Sequence, residues 1–207
     1  MALSLLGGEA RTAGELARVS GMSPSAASAH LAKLVDGDLL AVEHQGRHRY
    51  YRLKSPAVAE FLETMLTIAP VRDVSGLRES MSKKQLCLAR TCYDHLAGEL
   101  GVQLFDKLLE QNLLLANADG IVVQPLGETF FAEIGIDIHE LRSRRRPLAK
   151  VCLDWTERRY HLAGSLGASI LDNLLITGVL SKELGHRVLH ISKQGTSYLQ
   201  DIFGIKV

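Results

Sequence analysis

Cys87, Cys92, His95, Cys152 and His161 are of the types that ligate a soft metal, exchange a thiol or carry a proton. Thiols and imidazoles are the donors of zinc sites, and thiols alone can act as redox switches. Spacing decides what they do together. His95 and His161 each begin the same pattern, HLAGELG at 95–101 and HLAGSLG at 161–167, an offset of 66 residues. Read as helix, Cys92 and His95 share a face, but Cys87 and His95 lie about 12 Å apart along the axis. On a continuous helix Cys152 and His161 point nearly opposite ways. A metal would need ligands from both copies, so no metal and no other cofactor is expected. Cys87-Leu88 precedes the first copy and Cys152-Leu153 the second, which makes Cys87 and Cys152 counterparts. That leaves a thiol switch, with Arg90 favouring the Cys92 thiolate, beside the plainer reading of cysteines that pack. The histidines are either hydrogen-bonded core residues or, with Tyr93, Tyr160 and Trp155, the lining of a shared pocket for a small organic effector.

The repeat predicts the elements that carry these residues. At the same offset Asp106 meets Asp172, Leu108-Leu109 meets Leu174-Leu175, and Leu114 meets Leu180. A β-prone run follows in each copy (IVVQP at 121–125, RVLHIS at 187–192), then a glycine-led helix (127–136 and 195–205). Two tandem α-α-β-α modules, about 87–142 and 152–207, are expected within a regulatory domain spanning 85–207. Gly98, Gly101, Gly164 and Gly167 would each cost about 1 kcal/mol inside a helix, so they mark close backbone approach or a helix break. Arg142, Arg144, Arg145, Arg146 and Lys150 read as a solvated connector or an extra phosphate contact.

Composition narrows the class. The 207 residues carry 24 Lys+Arg against 23 Asp+Glu, so a nucleic-acid face must be local. With 46% hydrophobic and only 5% aromatic residues, aliphatic helical packing is expected. Three unpaired cysteines and no membrane-length apolar run point to a cytoplasmic protein with no membrane partner. No phosphate-binding glycine loop, nucleophile elbow or H-E-x-x-H is present, so no enzyme is expected.

Residues 1–54 read as a compact unit. Leu3, Leu5 and Leu6 suit a short helix closed by Gly7-Gly8. Thr12 and Glu15 form a capping box, and the helix they begin stops at Gly21. Ser23 is an N-cap with Pro24 at the first helical position. The helix that follows turns Ala27, Leu31, Leu34 and Val35 inward. Two strands then flank Gln45-Gly46-Arg47. Helices followed by a β-hairpin give a winged helix-turn-helix. The pattern S-x-H-L-x-x-L at 28–34, joined to G-R-x-x-Y-Y-x-L at 46–53, resembles the DNA-binding core of ArsR-type repressors over residues 1–69. Asp38 stands where that family places a helix-ending glycine, so Gly37 or a left-handed Asp38 must end the helix. A subset of the family is similar in carrying a C-terminal extension, which here would be the duplicated, winged-helix-like region.

The resemblance implies function. Ser23, Ser25, Ser28, Ala29, His30 and Lys33 would meet a DNA major groove, and Gln45, Arg47 and Arg49 the backbone or minor groove. Residues 56–69 carry an apolar stripe of Val58, Phe61, Leu62, Met65 and Leu66, and the family uses this helix to dimerise; 70–84 reads as a linker. The family's metal-sensing cysteines are missing from ELARVSGM, and the 56–69 helix has no histidine. The whole reads as mainly α with small β-hairpins. It would be a homodimeric repressor binding double-stranded DNA at a pseudo-palindromic operator, answering a small-molecule or redox signal. The alternative is a protein–protein scaffold of winged-helix-like modules that never touches DNA.

Overall fold

The computed structural model describes residues 5–46, 48–68, 81–182 and 186–207. Leu3, Arg47 and residues 70–80 of the expected linker lie outside the described residues; the last four linker positions belong to a helix, Met81–Leu88. The described residues form helices with small antiparallel sheets. The molecule is thus a mixed α/β protein in which helices alternate with small hairpins.

In the first unit, β1 (Arg11–Thr12) leads into α1 (Ala13–Ser20), α2 (Pro24–Asp36), β2 (Leu40–Gln45) and β3 (His48–Leu53). Local chemistry sets each boundary. The Thr12 side chain accepts from the Glu15 backbone and Glu15 answers to the Thr12 backbone, while Gly21 ends α1 at φ 63°. Ser23 caps α2 through Ala26 N, with Pro24 next. Asp38 adopts the left-handed conformation itself, at φ 57°, and its carboxylate pairs with Lys54 Nζ at 2.9 Å. Gln45 faces His48 at the wing tip, and β1 completes a sheet of order β1-β3-β2. Leu5, Leu16, Leu31, Leu40 and Tyr51 close a small core beneath.

After α3 (Pro56–Ile68) and α4 (Met81–Leu88), the second region follows hairpin, helix, hairpin, helix twice. The first pass is β4 (Arg90–Cys92), β5 (His95–Ala97), α5 (Glu99–Glu110), β6 (Leu114–Asn117), β7 (Gly120–Val123) and α6 (Pro125–Glu133). A short α7 (Ile138–Ser143) connects to β8 (Lys150–Leu153), β9 (Tyr160–Ala163), α8 (Gly164–Ile176), β10 (Leu180–Lys182), β11 (Leu189–Ile191) and α9 (Lys193–Tyr198), which runs into a π-helical turn at Leu199–Phe203. The expected α-α-β-α order is therefore corrected at its start: Cys92, His95, Cys152 and His161 lie on strands, not helices. Gly98 and Gly164, at φ 82° and 89°, turn the chain just after each HLA, so no helix starts before that point.

Helix α5 packs chiefly on β9, and α8 chiefly on β5. One apolar core running from Ala89 to Ile205 results, with Leu100, Leu108, Phe131, Leu166, Leu174 and Phe203 at its centre. Close approach explains Gly167: a Cβ there would sit 2.5 Å from Leu162 O and 3.4 Å from the His95 Cβ. Gly167→Ala is expected to lower the unfolding free energy by about 1–3 kcal/mol in urea denaturation. Gly14→Ala, with nothing within 4 Å of the new methyl, should cost none.

Candidate functional site

Two surfaces carry chemistry. On the first unit, Ser23, Ser25, Ser28, Ala29, His30 and Lys33 are all exposed along α2, as are Gln45 and Arg49 on the wing strands. Ser28 and Arg49 both line a cleft of about 570 Å³, together with Val35, Val42 and Tyr51. The side chains offered to solvent are small, polar or cationic. A helix of ~10–12 Å diameter with such a face fits a major groove, and the wing stands where it would meet the flanking backbone.

The second site lies where β5 meets β9. Cross-strand pairing sets Cys92 opposite His95 and Cys152 opposite His161. The two hairpins bring all four together, with one donor atom from each within 4.8 Å of every other. The imidazoles face each other through Nε2 atoms 3.2 Å apart, and the Cys92 and Cys152 sulfurs are 3.9 Å apart. Both histidines are buried. The expectation that Cys152 and His161 diverge is thus overturned, because it rested on a helix that is absent. Cys152 also has Cys92, not Cys87, as its counterpart. Cys87 sits on α4, apart from the cluster, and no cysteine is in a disulfide.

Carboxylates hold the imidazoles from behind. Asp94 Oδ1 is 3.3 Å from His95 Nδ1, and Asp154 Oδ2 is 3.3 Å from His161 Nδ1. Asp94 is paired to Arg146. Asp154 is fully buried and accepts from both sides: Arg90 Nη2 at 2.9 Å to each oxygen, Gly98 N at 2.8 Å and Thr156 N at 2.9 Å. Burial alone would raise its pKa, but the adjacent His161 imidazole, the Arg90 charge and the other donors outweigh it and hold the carboxyl well below the usual range. Burial likewise opposes charge on His161, yet Asp154 and Cys92 raise its pKa overall. Contact with the Cys152 sulfur and burial push the Cys92 thiol up to about 12, whereas the same contact lowers Cys152.

Glu63 of α3 reaches into the same cluster. It is 5% exposed, accepts from Trp155 Nε1 at 2.8 Å, Arg187 Nη2 at 2.8 Å and the Cys92 thiol at 3.4 Å, and lies 3.5 Å from Arg90 Nε. Arg187 also donates to Thr91 O and Leu6 O, bolting the two units together. Arg90 stacks over the Trp155 ring at 5.0 Å. The cavity bounded by Glu63, Cys92, Cys152, Trp155 and His161 is only about 130 Å³, well short of the ~300 Å³ at which organic-ligand pockets begin. Tyr93 and Tyr160, expected beside it, are more than half exposed and do not line it. Within the basic run, Arg142 pairs with Glu128, Arg144 with Glu140 and Arg146 with Asp94.

Glu63, Asp94, Asp154 and Arg187 were missed by sequence reasoning. One signal was available: Cys-x-Asp precedes HLAG in both copies (Cys92-Tyr93-Asp94, Cys152-Leu153-Asp154), with six extra residues, WTERRY, in the second.

A capped helix pair, an exposed polar second helix and a β-wing define a helix-turn-helix transcriptional regulator. Residues 3–43 match the helix-turn-helix domain family. The chain belongs to the family of HTH-type transcriptional regulators that includes YdfF of Bacillus subtilis (strain 168), to which it is 41% identical over 205 residues, covering 99% of this chain and 91% of that protein. It is also 34% identical over 64 residues to the HTH-type transcriptional regulator YgaV of Escherichia coli (strain K12), covering 31% of this chain and 65% of the relative. Among the described residues no helix is long and apolar enough to cross a membrane.

Proposed function

We propose that the protein is a homodimeric ArsR-type repressor that binds a pseudo-palindromic operator and is released from it by a signal received in its duplicated second region. The observation that carries this reading is the exposed polar face of α2 beside the Arg49-bearing wing. The apolar side of α3 supports the dimer: Phe61, Met65 and Ile68 are 57%, 52% and 83% exposed, a spacing that puts them on one helical face. Glu63, on the buried side of the same helix, links it to the Cys/His cluster. A signal there acts on DNA affinity only if it prefers the state in which α3 spaces the two recognition helices wrongly.

The test uses duplexes selected from a random pool by the protein itself. Arg49→Ala should weaken binding to selected and random duplex alike, and reduce the salt slope by about one. Ser28→Ala should narrow the gap between the two duplexes while leaving the slope unchanged. If titration at two salt concentrations finds both variants identical to the parent, the docking face is elsewhere.

A further inference from the structure

We propose that Cys92, His95, Cys152 and His161 form a binding site for one divalent cation of the zinc class, held tetrahedrally by two thiolates and two imidazole Nε2 atoms. The sulfur–sulfur and nitrogen–nitrogen spacings fit such an ion. Bonds of about 2.3 Å to sulfur and 2.0–2.1 Å to nitrogen at a tetrahedral centre set the two sulfurs about 3.8 Å apart and the two nitrogens about 3.3–3.4 Å apart. Here the sulfurs are 3.9 Å and the nitrogens 3.2 Å apart. Two hairpins far apart in sequence deliver these four atoms together, each as a cross-strand Cys/His pair.

The surroundings are those of a ligand set rather than of a packed core. Both imidazoles direct Nε2 inward, and each has a carboxylate 3.3 Å behind its Nδ1. Such carboxylates fix the tautomer a metal requires, with Nδ1 protonated and the Nε2 lone pair free. His161 Nδ1 is buried without a well-formed hydrogen bond, so a bound ion that fixes its proton toward Asp154 satisfies it. Charge also balances. The ion displaces one proton from each thiol, two protons leave to solvent, and the cation with two thiolates and two neutral imidazoles carries no net charge into the buried site. Soft sulfur and imidazole donors select zinc, cadmium or cobalt over magnesium or calcium. Four protein ligands complete a tetrahedron and leave no open position for catalysis.

The ion would clamp β4–β5 to β8–β9 against Glu63 of α3. Any effect of its loading on operator affinity rests on the repressor reading above; metal binding itself does not.

The experiment titrates the full-length, reduced, metal-free protein with cobalt(II), then zinc(II). One cobalt per chain should give the intense visible bands of a tetrahedral ion and a near-ultraviolet thiolate charge-transfer band, with two protons released, and zinc should erase both bands. Cys152→Ser and His161→Gln should each abolish tight binding, whereas Asp94→Asn should keep the spectrum and weaken affinity about 10–100-fold. Cys87→Ser should behave as the parent. Circular dichroism of each metal-free variant separates lost ligation from lost folding, and a folded parent with no tetrahedral spectrum overturns the site. So does an unchanged spectrum in the Cys152→Ser, His161→Gln double variant. DNA titrations on the same samples separate the two claims. A bound metal that leaves operator affinity unchanged retains the site and removes its link to DNA, while DNA binding absent from every sample overturns the repressor reading alone.

Discussion

Asp154→Ala is expected to lower the unfolding free energy by about 3–5 kcal/mol, since it leaves the Arg90 guanidinium buried and unpaired. Arg90 is 1% exposed and Asp154 fully buried, so water replaces nothing that is lost. Gly98 N and Thr156 N lose their acceptor in the same step. For a chain of this length the melting temperature should fall on the order of 10 °C. Arg90→Met combined with Asp154→Ala should be less damaging than Asp154→Ala alone, because the stranded charge goes too. Acid provides an independent check. The folded carboxyl is held below its ordinary pKa, so its contribution is complete above about pH 4 and is lost as pH falls further. The variant should therefore show a flatter acid limb than the parent. A loss below about 1 kcal/mol at neutral pH would mean that the pair contributes little.

Met65→Asp is expected to convert the protein to monomers in sedimentation velocity and to reduce operator affinity by about 10²–10⁴-fold, the gain that joining two half-site contacts provides. Met65 is 52% exposed in the single chain, so the aspartate is solvated in the monomer and folding should be unharmed. Leu62, on the same stripe, is half-buried within its own subunit, and a charge there would confound folding with assembly. Phe61→Asp should match Met65→Asp. An intact dimer in both variants places the subunit interface away from α3.

Much of the first unit was legible because its boundaries are written in single residues. Thr12, Gly21, Ser23 and Pro24 each act through a neighbouring backbone group, and Ala27, Leu31, Leu34 and Val35 keep helical spacing. The repeat was legible as a pattern but misread as helix. The strands Arg90–Cys92 and His95–Ala97 have three residues each, all buried, so they lack the alternation that betrays a strand. The Cys/His cluster was hidden by WTERRY, which a gapless offset cannot accommodate. Cys87-Leu88 and Cys152-Leu153 were matched instead, one residue out of that offset, when the fold pairs Cys152 with Cys92. Glu63 and Arg187 meet across 124 residues of chain, and nothing local announces either.

The crossed seating of α5 on β9 and α8 on β5 has a thermodynamic corollary. Neither half of the region between Ala89 and Ile205 can shed its hairpin without uncovering the helix of the other. Partial opening is thereby confined to the outer hairpins, and the rest must melt in a single transition. Slow amide exchange should accordingly converge on one common rate in α5 and α8, as though two segments 65 residues apart were a single helix pair.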